Sequence, residues 1–170
     1  MVKRFFTFSF IFILSGSYNL FAQDMGTYRD KFTEGNYLIL EENYPQALKN
    51  FLEAYAIDST NANINYKVGF CYIKSSTQKA KATRFLEKAC QNITHNYEDM
   101  EAHEKKAPEN AYYYLAQAYH LDYRFDEAIE YFNKFKMAVG PKNKDLIADI
   151  NHRLEMCNNG KELYAAPTKV

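Results

Sequence analysis

The sequence predicts an all-α fold in which helix hairpins stack in series. Three observations carry that expectation. Glycine (6) and proline (4) are scarce in a chain of 170 residues, and strand-rich domains need more turn residues than that. Small residues recur at an interval, with Gly35 and Gly69 standing 34 positions apart. The same kinds of residue follow each small one. Gly35 is followed by Ala47, Phe51 and Ala54, Gly69 by Ala82, Leu86 and Ala89, and Ala116 by Ala128, Phe132 and Phe135. A recurrence near 34 residues is a repeat period, and one unit alone cannot bury its apolar face.

The elements follow in order. Residues 1–22 read as a secretory signal peptide. Lys3 and Arg4 are its positive start, Phe5 to Leu14 its apolar run, and Leu20-Phe21-Ala22 its cleavage site before Gln23. An uncleaved anchor is the alternative, but the run is shorter than the ~20 residues that span a bilayer. No cysteine stands near the cleavage site to carry a lipid. The mature domain is placed at 23–158. Its first unit, about 28–61, takes one helix from about Tyr28 to Glu41, with Thr27 and Asp30 at its start. Asn43 is expected to cap the second helix, with Pro45 in its first turn. Two antiparallel helices approach closely only where side chains are small. Gly35 is therefore expected to face Ala47, Phe51 to fill the wedge toward the next unit, and Ala54 to admit the following helix.

The second and third units are placed at about 62–96 and 109–142. Between them lies an insertion, about 91–107, within "QNITHNYEDMEAHEKKAPEN". It holds His95, His103 and several carboxylates, without the spacing of a helical metal motif and its third ligand. It is read as an extended helix end plus a solvated loop, and Pro108 restarts the chain. After Gly140-Pro141, residues 143–158 form a capping helix with Leu146, Ile147, Ile150, Leu154 and Cys157 on one stripe. Asn158-Asn159-Gly160 is expected to end it, leaving 159–170 as a linker or tail.

Composition narrows the function. Basic and acidic residues balance at 21 each, so no surplus points to nucleic acid. Losing Lys3 and Arg4 with the signal peptide leaves a net charge of −2. The three cysteines have neither zinc nor C-x-x-C spacing, and they read as buried small apolar residues. No phosphate loop, Ser/His/Asp order or paired-carboxylate motif is visible. His120 has no placed acid or nucleophile beside it. A non-enzymatic protein without cofactor or metal is expected.

The stretches "GNYLILEENYPQALKNFLEAYAIDS", "VGFCYIKSSTQKAKATRFLEKA" and "YYYLAQAYHLDYRFDEAIEYFNKF" resemble the tetratricopeptide repeat (TPR) family. The resemblance covers roughly residues 28–141. It implies a right-handed helical solenoid of three hairpins plus the capping helix. Lys31 and Asn65 depart from the family's aromatic near the start of the first helix, while Tyr112 keeps it. In that family the first helices of successive units line a concave groove that holds extended peptides. Carried over by position, the groove residues are Arg29, Phe32, Asn36, Ile39 and Leu40 in unit one. Unit two offers Asn63, Tyr66, Phe70, Ile73 and Lys74, and unit three Asn110, Tyr113, Gln117, His120 and Leu121. Rings would contact the peptide's side chains and amides its backbone. The family's carboxylate clamp is largely missing, with Phe32 and Tyr114 in place of basic residues, so a C-terminal acidic peptide is not expected. Phe32, Tyr66 and Phe70 have an alternative reading, as packing against neighbouring helices or the chain's own tail.

A narrower resemblance rests on "EKKAPENAYYYLAQAYHLDYRFDEAIEYFNKF" and "INHRLEMCNNGKELYAAPTKV". These look like the N-terminal repeat module of exported OmpA-family envelope proteins, some of which serve type IX secretion and gliding. That resemblance implies a periplasmic scaffold associated with the outer membrane, with a protein or peptide of the cell envelope as partner and no membrane span after signal cleavage. The chain is read as a fragment of such a protein or as a stand-alone paralogue. A structural spacer within a larger protein and an enzyme accessory subunit are the other readings.

Overall fold

A computed structural model describes residues 24–165. The expected signal peptide, 1–22, and the end of the tail lie outside the described residues. Helix dominates. The first helix, α1, is described over residues 24–40. It is followed by α2 (Tyr44–Ile57), α3 (Ala62–Lys74), a 3-10 turn (Lys79–Lys81) and α4 (Ala82–Ala89). Two-residue strands β1 (Ile93–Thr94) and β2 (Ala107–Pro108) precede α5 (Asn110–Leu121), α6 (Phe125–Val139) and α7 (Lys144–Ala165). Each helix packs on the next in the chain, and α3 also touches α5.

The turns explain the pairing. Between α1 and α2, Glu42 takes a left-handed φ of 56°, and between α5 and α6 Tyr123 takes 60°. In both turns the following N–H reaches back five residues, Asn43 to the Leu38 carbonyl (2.8 Å) and Arg124 to the Tyr119 carbonyl (2.9 Å). This is the bond of a Schellman helix end, which satisfies a carbonyl the helix itself leaves unpaired. The Asn43 side chain makes no capping bond, which corrects its expected role; the backbone bond to Leu38 shapes the turn instead. Asn61 is the side-chain cap, its Oδ1 accepting from the N–H groups of Asn63 (2.9 Å) and Ile64 (3.2 Å) at the start of α3.

The recurring small residues lie at close approaches. A β-carbon on Gly69 would sit 2.5 Å from Leu86 Cγ. One on Gly35 would meet the Phe51 ring at 2.5 Å. The large partner of Gly35 is thus Phe51, not Ala47 as expected, and Phe51 turns into its own helix pair, where it also meets Phe32 edge to face. Ala47 and Ala54 are fully buried.

Helix α3 lies at the centre. Residues 61–69 are buried without interruption, as in a helix covered on all sides. Helix α2 lies against it, α4 pairs with it, and α5 touches it. The remaining cover comes from the insertion, which is not the solvated loop expected. Strand β1 pairs in parallel with β2, Ile93 opposite Ala107 and Thr94 opposite Pro108. Residues 95–106 are thereby closed into a strap over α1 and α3. The Lys105 carbonyl accepts from the N–H groups of Ala62 (3.0 Å) and Asn63 (3.3 Å), two donors that the start of a helix leaves without partners.

At the other end, α7 continues to Ala165. The stop expected at Asn158-Asn159-Gly160 does not occur. Gly160 stays helical because its bare backbone accommodates the Phe125 ring, which a β-carbon would meet at 2.6 Å.

Candidate functional site

The residues expected to line a groove separate into a covered set and an open set. Phe32, Asn36, Asn63 and Tyr66 are buried, which corrects the expectation that they present a free surface. Ile73 is buried too, and only its 8% exposed remainder reaches the cleft described below. Phe32 lies between Tyr28, stacked at 6.0 Å, and Phe51, edge-on at 6.1 Å. The Asn36 amide donates to the Asp99 carbonyl (3.4 Å) and the Asn63 amide to the Glu104 carbonyl (3.2 Å). The Tyr97 hydroxyl donates to Asn63 Oδ1 (2.6 Å). The Tyr66 ring meets Phe70, Tyr97 and Tyr114, each at 6.2 Å. The strap therefore occupies much of the α1–α3 face with the chain's own ring, carboxylate and carbonyl groups.

Lys67 is the residue that sequence reasoning missed. It is only 3% exposed. Its ammonium pairs with Asp99 of the strap and lies 5.8 Å from the Phe32 ring centroid and 5.9 Å from that of Tyr97. Burial draws its pKa down, and Asp99 offsets that only in part. A lysine within the run "NINYKVGF" was the available signal, but nothing in its spacing identified Asp99.

The open set lies further along. Ile73 and Lys74 from the end of α3, with Gln117, His120 and Leu121 from α5, line one cleft. Lys79, Phe132, and Arg153 and Met156 of α7 complete it, and its volume is about 530 Å3. Neither Lys79 nor the two α7 residues were among the expected positions, because α7 has no place in the repeat period. Tyr113 does not line the cleft but ties α5 to α7. Its hydroxyl donates to Asp149 Oδ2 (2.7 Å), which also accepts from Arg153 Nε (3.0 Å). Burial opposes ionisation of Asp149, yet these two bonds prevail and hold its carboxyl below the usual range. The Tyr113 hydroxyl is pushed up to about 12 by burial and by Asp149.

The other expected residues take no part in this cleft. Arg29 is exposed in the second turn of α1, Asn110 at the start of α5, and Leu40 near the end of α1. Ile39 is half-buried, and Phe70 is half-buried under Tyr44 and Tyr114.

One chemically suggestive pair lies at the cleft wall. His120 Nδ1 stands 3.2 Å from Cys157 Sγ. Burial pushes the thiol up to about 11, while burial and then Arg153 draw the imidazole down. Both groups stay neutral near pH 7, so this is a hydrogen-bonded contact between α5 and α7, not an activated thiolate. Among the described residues no three His, Cys, Asp or Glu side chains cluster to hold a metal ion. No helix among them is long and apolar enough to cross a membrane.

These features define the class as a mostly helical protein with a basic, partly apolar cleft. Compared with known proteins, the chain matches no family model and no curated sequence.

Proposed function

We propose that this chain is a non-enzymatic scaffold of the bacterial cell envelope that holds an extended segment of a partner protein through a TPR-like groove. The observation that carries this reading is the cleft of about 530 Å3, five of whose lining residues, Ile73, Lys74, Gln117, His120 and Leu121, were expected at groove positions. The close contacts Gly35–Phe51 and Gly69–Leu86, whose glycines stand 34 and whose large residues 35 positions apart, support a tetratricopeptide register of stacked hairpins. The working part of the groove is then its later half, since the strap covers the earlier one. A cleft whose lining mixes apolar side chains with the Gln117 amide and three cations suits an extended chain.

Selection of linear peptides from a displayed library tests the proposal. Bound peptides are expected to shift the backbone NMR signals at the ends of α3 and α5 and along α7. Failure to enrich any peptide, or shifts confined to other surfaces, would overturn it. The envelope location rests on residues 1–22 and on the resemblance to OmpA-family modules. Mass spectrometry of protein from the native envelope is expected to find a mature N-terminus at Gln23, and intact Met1 would remove the export argument. A second reading, as a spacer module of a larger OmpA-family protein, is favoured by the burial of Asn63 and Tyr66 beneath the strap.

A further inference from the structure

The strap, a run of bends and turns, shows how this helical face holds a non-helical segment, and that contact has an unfilled counterpart. Lys67 and Lys74 are seven residues apart on α3, so they project from the same side, two turns from each other. Each lysine lies near two rings, Lys67 beside Phe32 and Tyr97, Lys74 beside Tyr44 at 5.9 Å and Phe70 at 5.6 Å. Lys67 has its carboxylate, Asp99. Lys74 has none among the described residues. Neither has Lys79, which lines the same cleft. No aspartate or glutamate lines the cleft, and its third cation, Arg153, is engaged by Asp149.

We propose that the cleft takes an extended, acidic segment of another protein, one whose carboxylate reaches Lys74 and Lys79 and whose neighbouring apolar side chain rests against Ile73, Leu121 and Met156. This rests on the segment-binding reading above and adds the chemistry of the ligand. Three cations with a single carboxylate partner leave uncompensated positive charge, and the low-dielectric walls strengthen its pull on an anion. The strap is the internal precedent. Its "NYEDMEAHE" stretch is aromatic and acidic, and it docks through a tyrosine–amide bond and a carboxylate–lysine pair. The absence of the family's clamp residues does not oppose this, because Lys79 and Arg153 lie outside the helices on which that clamp is built.

The experiment uses the full mature chain and a labelled peptide, THNYEDMEAHE, which copies residues 94–104. Two counterparts replace every acid by its amide or by lysine. Fluorescence anisotropy is expected to show binding of the acidic peptide, at least about tenfold weaker for the amide form, which corresponds to ~1.4 kcal/mol. The double variant Lys74→Glu/Lys79→Glu is expected to lose binding by a similar factor, with its helical circular dichroism unchanged. A Lys142→Glu control, in the turn before α7, is expected to bind as the parent does. Equal binding of the acidic and amide peptides, or undiminished binding by the double variant, would overturn the proposal. If the amide or lysine peptide binds better, the acidic specificity falls while segment binding stands. If none of the three binds and library selection also fails, both readings fall. A dimer in sedimentation velocity that disappears with Lys74→Glu/Lys79→Glu would identify a second copy of the chain as the occupant and overturn a separate partner.

Discussion

Gly69 and Leu86 show at residue scale how two helices are held at short distance. With a β-carbon position only 2.5 Å from Leu86 Cγ, a larger side chain must move the backbone, because a branch point close to its own helix cannot swing aside. Gly69→Leu is expected to destabilise the fold by ~1–3 kcal/mol. Helix propensity alone would favour leucine by about 1 kcal/mol, so a lower urea midpoint isolates the contact. An unchanged or higher midpoint would refute it. Gly140 ends α6 with a φ of 68°, but Gly160 is no stop signal. Gly160 lies inside α7 because the Phe125 ring rests on it, and that ring is itself held by His120 and Tyr164.

At the scale of the element, the strap is irregular yet tied at several points. Its only ladder is two residues long, so its position depends on other bonds: the Lys105 carbonyl on two N–H groups of α3, Tyr97 on Asn63, Asp99 on Lys67, and the carbonyls of Asp99 and Glu104 on two amides. Removing the carboxylate leaves the Lys67 ammonium buried without its partner. Asp99→Asn is expected to cost ~1–3 kcal/mol and to speed trypsin cleavage after Lys105 or Lys106 in the loosened strap. Adding Lys67→Met is expected to recover part of that loss, since an apolar side chain needs no counter-ion. Equal cleavage rates in parent and Asp99→Asn would show that the ion pair does not secure the strap.

At the scale of the whole molecule, Tyr66 and Phe70 follow the packing alternative, not the open groove. Tyr66 packs among Phe70, Tyr97 and Tyr114. Tyr66→Ala/Phe70→Ala is therefore expected to lower the thermal midpoint sharply, because removing a buried aromatic such as Tyr66 costs ~3–5 kcal/mol and the half-buried Phe70 adds a smaller loss. Retention of the parent's midpoint would restore these rings to an exposed groove.

Alkaline pH probes the same burial. The thiols of Cys71 and Cys90 are pushed up to about 12 and that of Cys157 to about 11, chiefly by burial. The hydroxyls of Tyr28, Tyr66 and Tyr97 are raised too. The unfolded chain ionises its thiols near pH 9 while the folded chain resists. It then binds fewer protons than the native state, so stability is full below that pH and falls as pH rises toward 12. Lys67, with its lowered pKa, works in the opposite direction, but it is one group against six. Urea midpoints at pH 7, 9 and 11 are expected to decline across the last interval, and a flat profile would contradict the burial of these groups.

Helix content, the small residues at close crossings and the stripe through Ile150 and Cys157 were legible in the sequence because they are local or periodic. Periodicity records which face a residue takes on its own helix. Part of the cleft was legible through the family resemblance, which carried Ile73, Lys74, Gln117, His120 and Leu121 over by position. Tertiary structure alone decided the rest. Asp99 meets Lys67 across 32 residues, and the strap that carries it follows no period. Lys79, Arg153 and Met156 enter the cleft from a turn and a terminal helix outside the repeat pattern. A non-repeating segment is positioned by the particular partners it finds, a buried ammonium for Asp99 and a bare helix surface for Phe125, and those partners exist only once the helices have come together.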